Sequence, residues 1–218
     1  TSAGQRCSAL RVLYVQRDIA DRVIELLKGA MAELNVGPTH LRENDIGPVI
    51  DQEAREGLLA HIQQLKSEGR LIAEATLPAG LNGHFVAPVA FEIDGIHQLK
   101  KEQFGPVLHV VRYDAADLEK VVAAINGTGY GLTLGVHSRN EETAERIEQL
   151  ARVGNLYVNR NQIGAVVGVQ PFGGCGLSGT GPKAGGPSYV LRFANERTTS
   201  TNTTAVGGNA SLLSLGDD

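Results

Sequence analysis

The chain has 218 residues, 42% of them hydrophobic and 20% charged, which is enough to core one large domain or two small ones. Its net charge is -4 and its basic residues are scattered, so neither nucleic acid nor an anionic membrane finds an electrostatic footprint. No apolar run reaches the roughly 18 residues that span a bilayer and no signal peptide opens the chain, so a cytoplasmic protein is expected. Its two cysteines, Cys7 and Cys175, are then expected to be reduced thiols.

Taken in order, Leu10 to Val15 has the apolar, β-branched character of a buried strand. Asp18 is placed to cap a helix with Ile19, Val23, Leu26, Leu27, Ala30 and Leu34 on one apolar face. Asp51 begins a second helix, with Leu58, Leu59, Ile62 and Leu65 inward and a stop near Gly69. Leu71 to Ala75 and His84 to Phe91 read as strands about a Pro- and Gly-containing turn. Pro106 to Tyr113 is a buried strand, after which Asp114 caps a helix carrying Leu118, Val121, Val122 and Ile125, with Asp117 in its first turn. Leu132 to Val136, a helix capped by Asn140, and Val153 to Val158 follow. This alternation predicts an α/β fold with a mostly parallel sheet, because parallel neighbours need crossover connections and helices supply them.

From Asn161 to Gly174 runs a long Gly-containing loop, of a length that compact domains usually reserve for function. Ser188 to Phe193 reads as a short strand. Thr198 to Val206 is Thr-rich with little apolar surface, which suits a β-arm added to a neighbouring sheet, and the tail to Asp218 should be loosely held.

Cys7 is the candidate nucleophile. It follows a Gly-containing turn, stands beside Arg6 and precedes a strand, a placement that presents sulfur to a cleft with positive charge at hand. Other motifs carry less. Gly174 to Gly179 fits the letter of GxGxxG, but no hydrophobic strand precedes it and Pro182 and Pro187 stand where a phosphate-binding helix should begin. His40, His61, His84, His97, His109 and His137 lack metal-ligand spacing, and no metal site is expected. Cys175 is expected to pack or line the late loop.

Three stretches together resemble the second half of an aldehyde dehydrogenase: Gly4-Gln5-Arg6-Cys7, Glu102-Gln103-Phe104-Gly105-Pro106-Val107, and Pro171-Phe172-Gly173-Gly174 with Ser178-Gly179. Within that family, residues 161–174 and Lys183 to Tyr189 resemble the L-glutamate γ-semialdehyde (pyrroline-5-carboxylate) dehydrogenase branch. The tail from Asn202 to Gly216 is similar to the end of that module in bacterial proline utilisation A, the bifunctional proline-oxidising flavoenzymes.

The resemblance implies an aldehyde dehydrogenase catalytic domain over residues 1–195 and an oligomerisation or docking arm over 196–218. It implies NAD as cofactor, FAD only in a proline dehydrogenase domain outside this chain if one is present, and a homo-oligomer formed through the arm. Cys7 is then the nucleophile and the donor of half the oxyanion hole through its own N–H. Glu102 matches the carboxylate that accepts from a cofactor ribose, and Phe104 the ring beside the nicotinamide. Ser8 and the Gly164-Ala165 backbone match the anchors for the substrate end remote from the aldehyde, where some relatives carry Ser in place of Ala165. Phe172 matches an aromatic on the substrate's aliphatic middle, although a loop anchor is an equal reading of it. The family's cofactor-binding domain, general-base Glu and oxyanion-hole Asn precede the nucleophile, so the chain is expected to be a C-terminal fragment without NAD-dependent turnover of its own. The alternatives are an aldehyde dehydrogenase of other specificity and a non-catalytic oligomerisation module.

Overall fold

In a computed structural model, residues 2–68, 70–166 and 168–206 are described. Four strands form the main sheet: β1 (Val12–Gln16), β2 (Leu71–Glu74), β3 (Val89–Glu92) and β4 (Val107–Tyr113), in the order β1-β4-β3-β2. β1 and β3 run parallel to β4 on either side of it, and β2 closes one edge antiparallel to β3. β4 is therefore buried on both sides, which accounts for its near-continuous apolar run. Helix α1 (Arg17–Ala32) packs Ala20 and Ile24 against Val15 and Val110 on one face of the sheet. Helix α2 (Gln52–Ser67) brings Leu58, Ile62 and Leu65 to a cluster with Phe91, Val89 and Val107 on the other.

A second, smaller unit of strands follows α3 (Leu118–Gly127). β5 (Tyr130–Gly131) pairs antiparallel with β8 (Cys175–Gly176), and β6 (Thr133–Val136) pairs in parallel with β7 (Asn155–Val158) across α4 (Glu141–Leu150). The α/β class holds, with helices flanking mostly parallel strands. The run from Val107 to Val158 does not form one sheet, however: β4 pairs with β1 and β3, and β6 pairs with β7. Sequence order reveals that a crossover is needed but not which strand receives it.

Several local expectations are corrected. The first strand starts at Val12, and Leu10 is exposed. Asp18 does not cap α1; it sits in the first turn and accepts from Gln16 Nε2 at 2.8 Å. On α1 the buried stripe is Ala20, Ile24 and Met31, while Ile19 and Leu26 are 55% and 66% exposed, and Leu34 lies beyond the helix. Leu59 on α2 is also exposed. The third strand is shorter than expected; Phe85 and Val86 are buried without strand pairing, ahead of Pro88, which has no N–H to offer a ladder. Asp114 spends its carboxylate on Arg17 (2.7 Å) instead of a cap, Asp117 pairs with Lys120 (2.6 Å), and a 3-10 turn precedes α3. Val190–Phe193 is a 3-10 turn and not a strand. Asp51 and Asn140 do cap, accepting from Ala54 N–H at 2.8 Å and Glu142 N–H at 3.0 Å. Thr1, Gly69, Val167 and residues 207–218, which enter the expectations for the first loop, the stop of α2, the late loop and the tail, lie outside the described residues.

His109 on β4 is fully buried and bonded to its surroundings through both ring nitrogens. Nδ1 lies 2.9 Å from the Arg11 carbonyl, so it must carry the proton; Nε2 then accepts from His61 Nε2–H on α2, also at 2.9 Å. Desolvation is the main cause that lowers the His109 pKa from 6.5 to about 4, and burial lowers that of His61 as well. A folded-state pKa below the unfolded one means that the unfolded chain takes up a proton first as pH falls. This pair's contribution is therefore full above about pH 6.5 and is lost as pH falls towards 4. Urea midpoints across that window should drop, and His109→Gln should flatten the drop while lowering stability near neutrality.

Candidate active site

The loop that carries Cys7 leaves the core through Ala3, which is buried with Val49, Leu58 and Val107. Gly4 follows with φ +69° and its α-carbon pressed on the Glu102–Pro106 segment: a Cβ built there would stand 2.3 Å from the Gly105 carbonyl oxygen. The Gln5 side chain reaches the segment before α2, donating to the Pro48 carbonyl (3.3 Å) and accepting from Ile50 N–H (2.8 Å). Ala9 N–H donates to the Arg6 carbonyl (3.0 Å), closing a turn in which Cys7 is exposed.

The first two stretches singled out in the sequence meet beside this turn, and the start of the late loop reaches Ser8 next to it, whereas the contacts of residues 171–173 run to Asn155 and Ala184. Glu102 Oε1 accepts from Arg11 Nε at 3.2 Å, with the carboxylate side chain 43% exposed. The Arg11 guanidinium lies 4.5 Å from the centroid of the Phe104 ring, which is itself 40% exposed. On the other side, Gly164 N–H donates to Ser8 Oγ (3.0 Å), and Gln162 Nε2 to the Ser8 carbonyl (3.4 Å). Ser8 is buried, 3% exposed, so its hydroxyl is engaged with Gly164 in this structure. A ligand that used both groups would have to share them or separate them.

Gly164 and Ala165 are half-buried, and Gly164 has φ +68°. Tyr157 Oη donates to the Gly164 carbonyl (3.1 Å), tying the late loop to β7. Phe172 is half-buried, and its backbone exchanges both hydrogen bonds with Ala184 (3.0 and 2.9 Å). Asn155 braces the same loop, donating to the Pro171 carbonyl (3.0 Å) and accepting from Gly173 N–H (3.3 Å). Cys175 is exposed on β8, with its thiol 3.1 Å from the Arg152 carbonyl, and Cys7 and Cys175 are both free. Among the described residues no group of three or more His, Cys, Asp or Glu could hold a metal, and no helix is long and apolar enough to cross a membrane.

Arg11, Asn155 and Tyr157 are the residues that sequence reasoning missed. Arg11 left a signal: an Arg interrupts the apolar run into β1, and a charge placed there with 15% side-chain exposure needs partners. Asn155 left a weaker one as a buried amide at the start of a strand.

An exposed thiol on a turn that Arg11 ties to a carboxylate and an exposed aromatic ring, on an α/β scaffold, is the arrangement to set beside known classes. Residues 1–199 match the Aldehyde dehydrogenase family, and the chain belongs to that family. It is 54% identical over 202 residues to the bifunctional protein PutA of Klebsiella aerogenes, a match covering 90% of this chain and 15% of that protein. Among solved structures, a mutant of Bradyrhizobium japonicum proline utilization A superposes with a TM-score of 0.86 at 58% identity, over 94% of this chain and 21% of that one. A 1-pyrroline-5-carboxylate dehydrogenase from Thermus, solved with bound NAD, gives 0.79 at 39% identity over 88% and 37%. The chain thus spans only a small part of the proline utilization relatives it matches.

Proposed function

We propose that this chain is the nucleophile-bearing part of an NAD-dependent dehydrogenase that oxidises L-glutamate γ-semialdehyde to L-glutamate, the second step of proline catabolism. The observation that carries the reading is the convergence on the exposed Cys7 turn of Glu102 and Phe104 through Arg11, and of the late loop through the Ser8–Gly164 bond. The names borne by the proline utilization and 1-pyrroline-5-carboxylate dehydrogenase relatives support the substrate.

NAD, bound, supplies the hydride acceptor. The residues present suit it: Glu102 offers an open, acceptor-only carboxylate for ribose hydroxyls, and Phe104 an open ring face for a planar heterocycle. Cys7 adds as thiolate to the aldehyde carbon, forming the C–S bond while the carbonyl π pair moves to oxygen, where the Cys7 N–H receives it. Loss of hydride from that carbon leaves a thioester on Cys7. Water then cleaves the C–S bond, releasing the carboxylate and returning the thiolate. Ser8 and the Gly164 and Ala165 N–H groups recognise the substrate's remote carboxylate and ammonium end, and Phe172 covers its methylenes.

The cofactor domain, the general base and the second oxyanion donor come from the remainder of the full-length protein; FAD belongs only to a proline dehydrogenase domain, where that protein carries one. Residues 196–218 serve as an arm between subunits of a homo-oligomer, in a cytoplasmic setting that keeps both thiols reduced.

The full-length protein, assayed for NAD reduction with a panel of aldehydes, is expected to favour L-glutamate γ-semialdehyde over apolar aldehydes of equal length by about 10²-fold or more in kcat/KM, because only the charged end gains hydrogen bonds from Ser8 and the loop N–H groups. The isolated 218 residues are expected to give no NAD reduction. Equal kcat/KM across the panel, or turnover by the isolated chain near that of the whole protein, would refute the corresponding half of this reading.

A further inference from the structure

Arg11 makes four interactions from one guanidinium. It donates from Nη1 to the Gly4 carbonyl, from Nη2 to the Arg6 carbonyl at 2.9 Å and from Nε to Glu102 at 3.2 Å, and it lies against the Phe104 ring. The two carbonyls belong to the turn that carries Cys7, and Arg6 immediately precedes it. The other two partners belong to the segment assigned to the cofactor. The Arg11 backbone is itself fixed, since its carbonyl accepts from both the main-chain N–H of His109 (3.1 Å) and the His109 ring (2.9 Å) in the buried strand β4. A planar fork with five donors can bridge these groups at once, whereas a Lys ammonium is a single point charge on a flexible stem.

We propose that Arg11 is a positioning residue that holds the Cys7 turn and the Glu102–Phe104 segment as one unit, so that the nucleophile and the cofactor-facing groups keep a common register. This rests on the functional reading above. It predicts a separation of effects that general loosening of the fold does not produce. Arg11→Lys keeps a cation for Glu102 but releases the two turn carbonyls; Arg11→Gln releases all of them.

The test uses the full-length protein, with NAD affinity measured by titration calorimetry and turnover measured per active thiol. Arg11→Lys is expected to lower kcat by about 10²-fold, the scale of a displacement near 1 Å, with the NAD dissociation constant unchanged within a factor of about two. Arg11→Gln is expected to lower kcat similarly and also to weaken NAD by about tenfold, as loss of a hydrogen bond to a charged group does. Glu102→Gln, which removes the ribose contact itself, should weaken NAD in both backgrounds but by less in Arg11→Gln than in wild type, because Arg11 orients that carboxylate.

Arg11→Lys that restores kcat, or that moves kcat and NAD affinity in parallel, overturns the proposal, and so does additivity of the Arg11 and Glu102 changes. If Arg11→Gln fails to fold, the Arg11→Lys separation alone decides. Wild-type protein that does not bind NAD sinks the functional reading and this inference with it. Wild-type that binds NAD beside variants without the separation sinks this inference only.

Discussion

Cys7→Ala in the full-length protein is expected to abolish aldehyde oxidation, with kcat lower by about 10⁴-fold or more and little change in stability. The magnitude follows from the chemistry: without sulfur there is no covalent adduct from which hydride can leave, and residual rate rests on binding and electrostatics alone. The small effect on folding follows from the structure, in which Cys7 is exposed at the tip of a closed turn and belongs to none of the core clusters. Cys7→Ser serves as a near-isosteric companion, since a serine hydroxyl ionises far less readily than a thiol and is the weaker nucleophile. Pre-steady-state NADH formation and melting temperature, measured together, check both halves. Turnover by Cys7→Ala within about tenfold of wild type would remove Cys7 from the mechanism.

Gly4→Ala is expected to cost about 10²-fold in kcat although Gly4 touches no substrate in the proposed mechanism. Its φ of +69° is strained for any residue with a side chain, and an added Cβ would meet the Gly105 carbonyl oxygen at 2.3 Å. Backbone cannot swing aside as the end of a side chain does, so the Cys7 turn and the Glu102–Pro106 segment must part. A shift near 1 Å between groups that act on the same carbon costs about this factor. Thiol titration should still count one accessible Cys7 per chain, and the loss should appear in kcat with the active-site count unchanged. Gly29, whose added Cβ meets nothing within 4 Å, supplies the control: Gly29→Ala should leave kcat at the wild-type level.

The elements themselves were largely legible. α2 declared its start through Asp51 and its inner face through Leu58, Ile62 and Leu65, and β4 declared itself through an apolar run that only a strand buried on both sides needs. Errors gathered where a local rule competed with a distant partner. Asp18 and Asp114 have the chemistry of caps, yet Gln16 and Arg17 take their carboxylates. Ile19 and Leu26 fit the helical period but lie off the stripe that the sheet covers, because period fixes which residues share a face and not how that face is rotated onto its neighbour.

For the site, residue type and placement pointed to Cys7, while Glu102, Phe104 and Ser8 were singled out by the resemblance to aldehyde dehydrogenases. Composition and periodicity alone also determined an α/β chain with a reactive-looking thiol ahead of its first strand. Tertiary structure decided what joins these parts. Arg11 is ninety-one residues from Glu102 and Ser8 one hundred and fifty-six from Gly164, and pairings across such separations are set by which strands lie side by side. Only the folded chain makes β4 the neighbour of β1, and that adjacency brings Arg11 to Glu102 and ties both to the turn that carries Cys7.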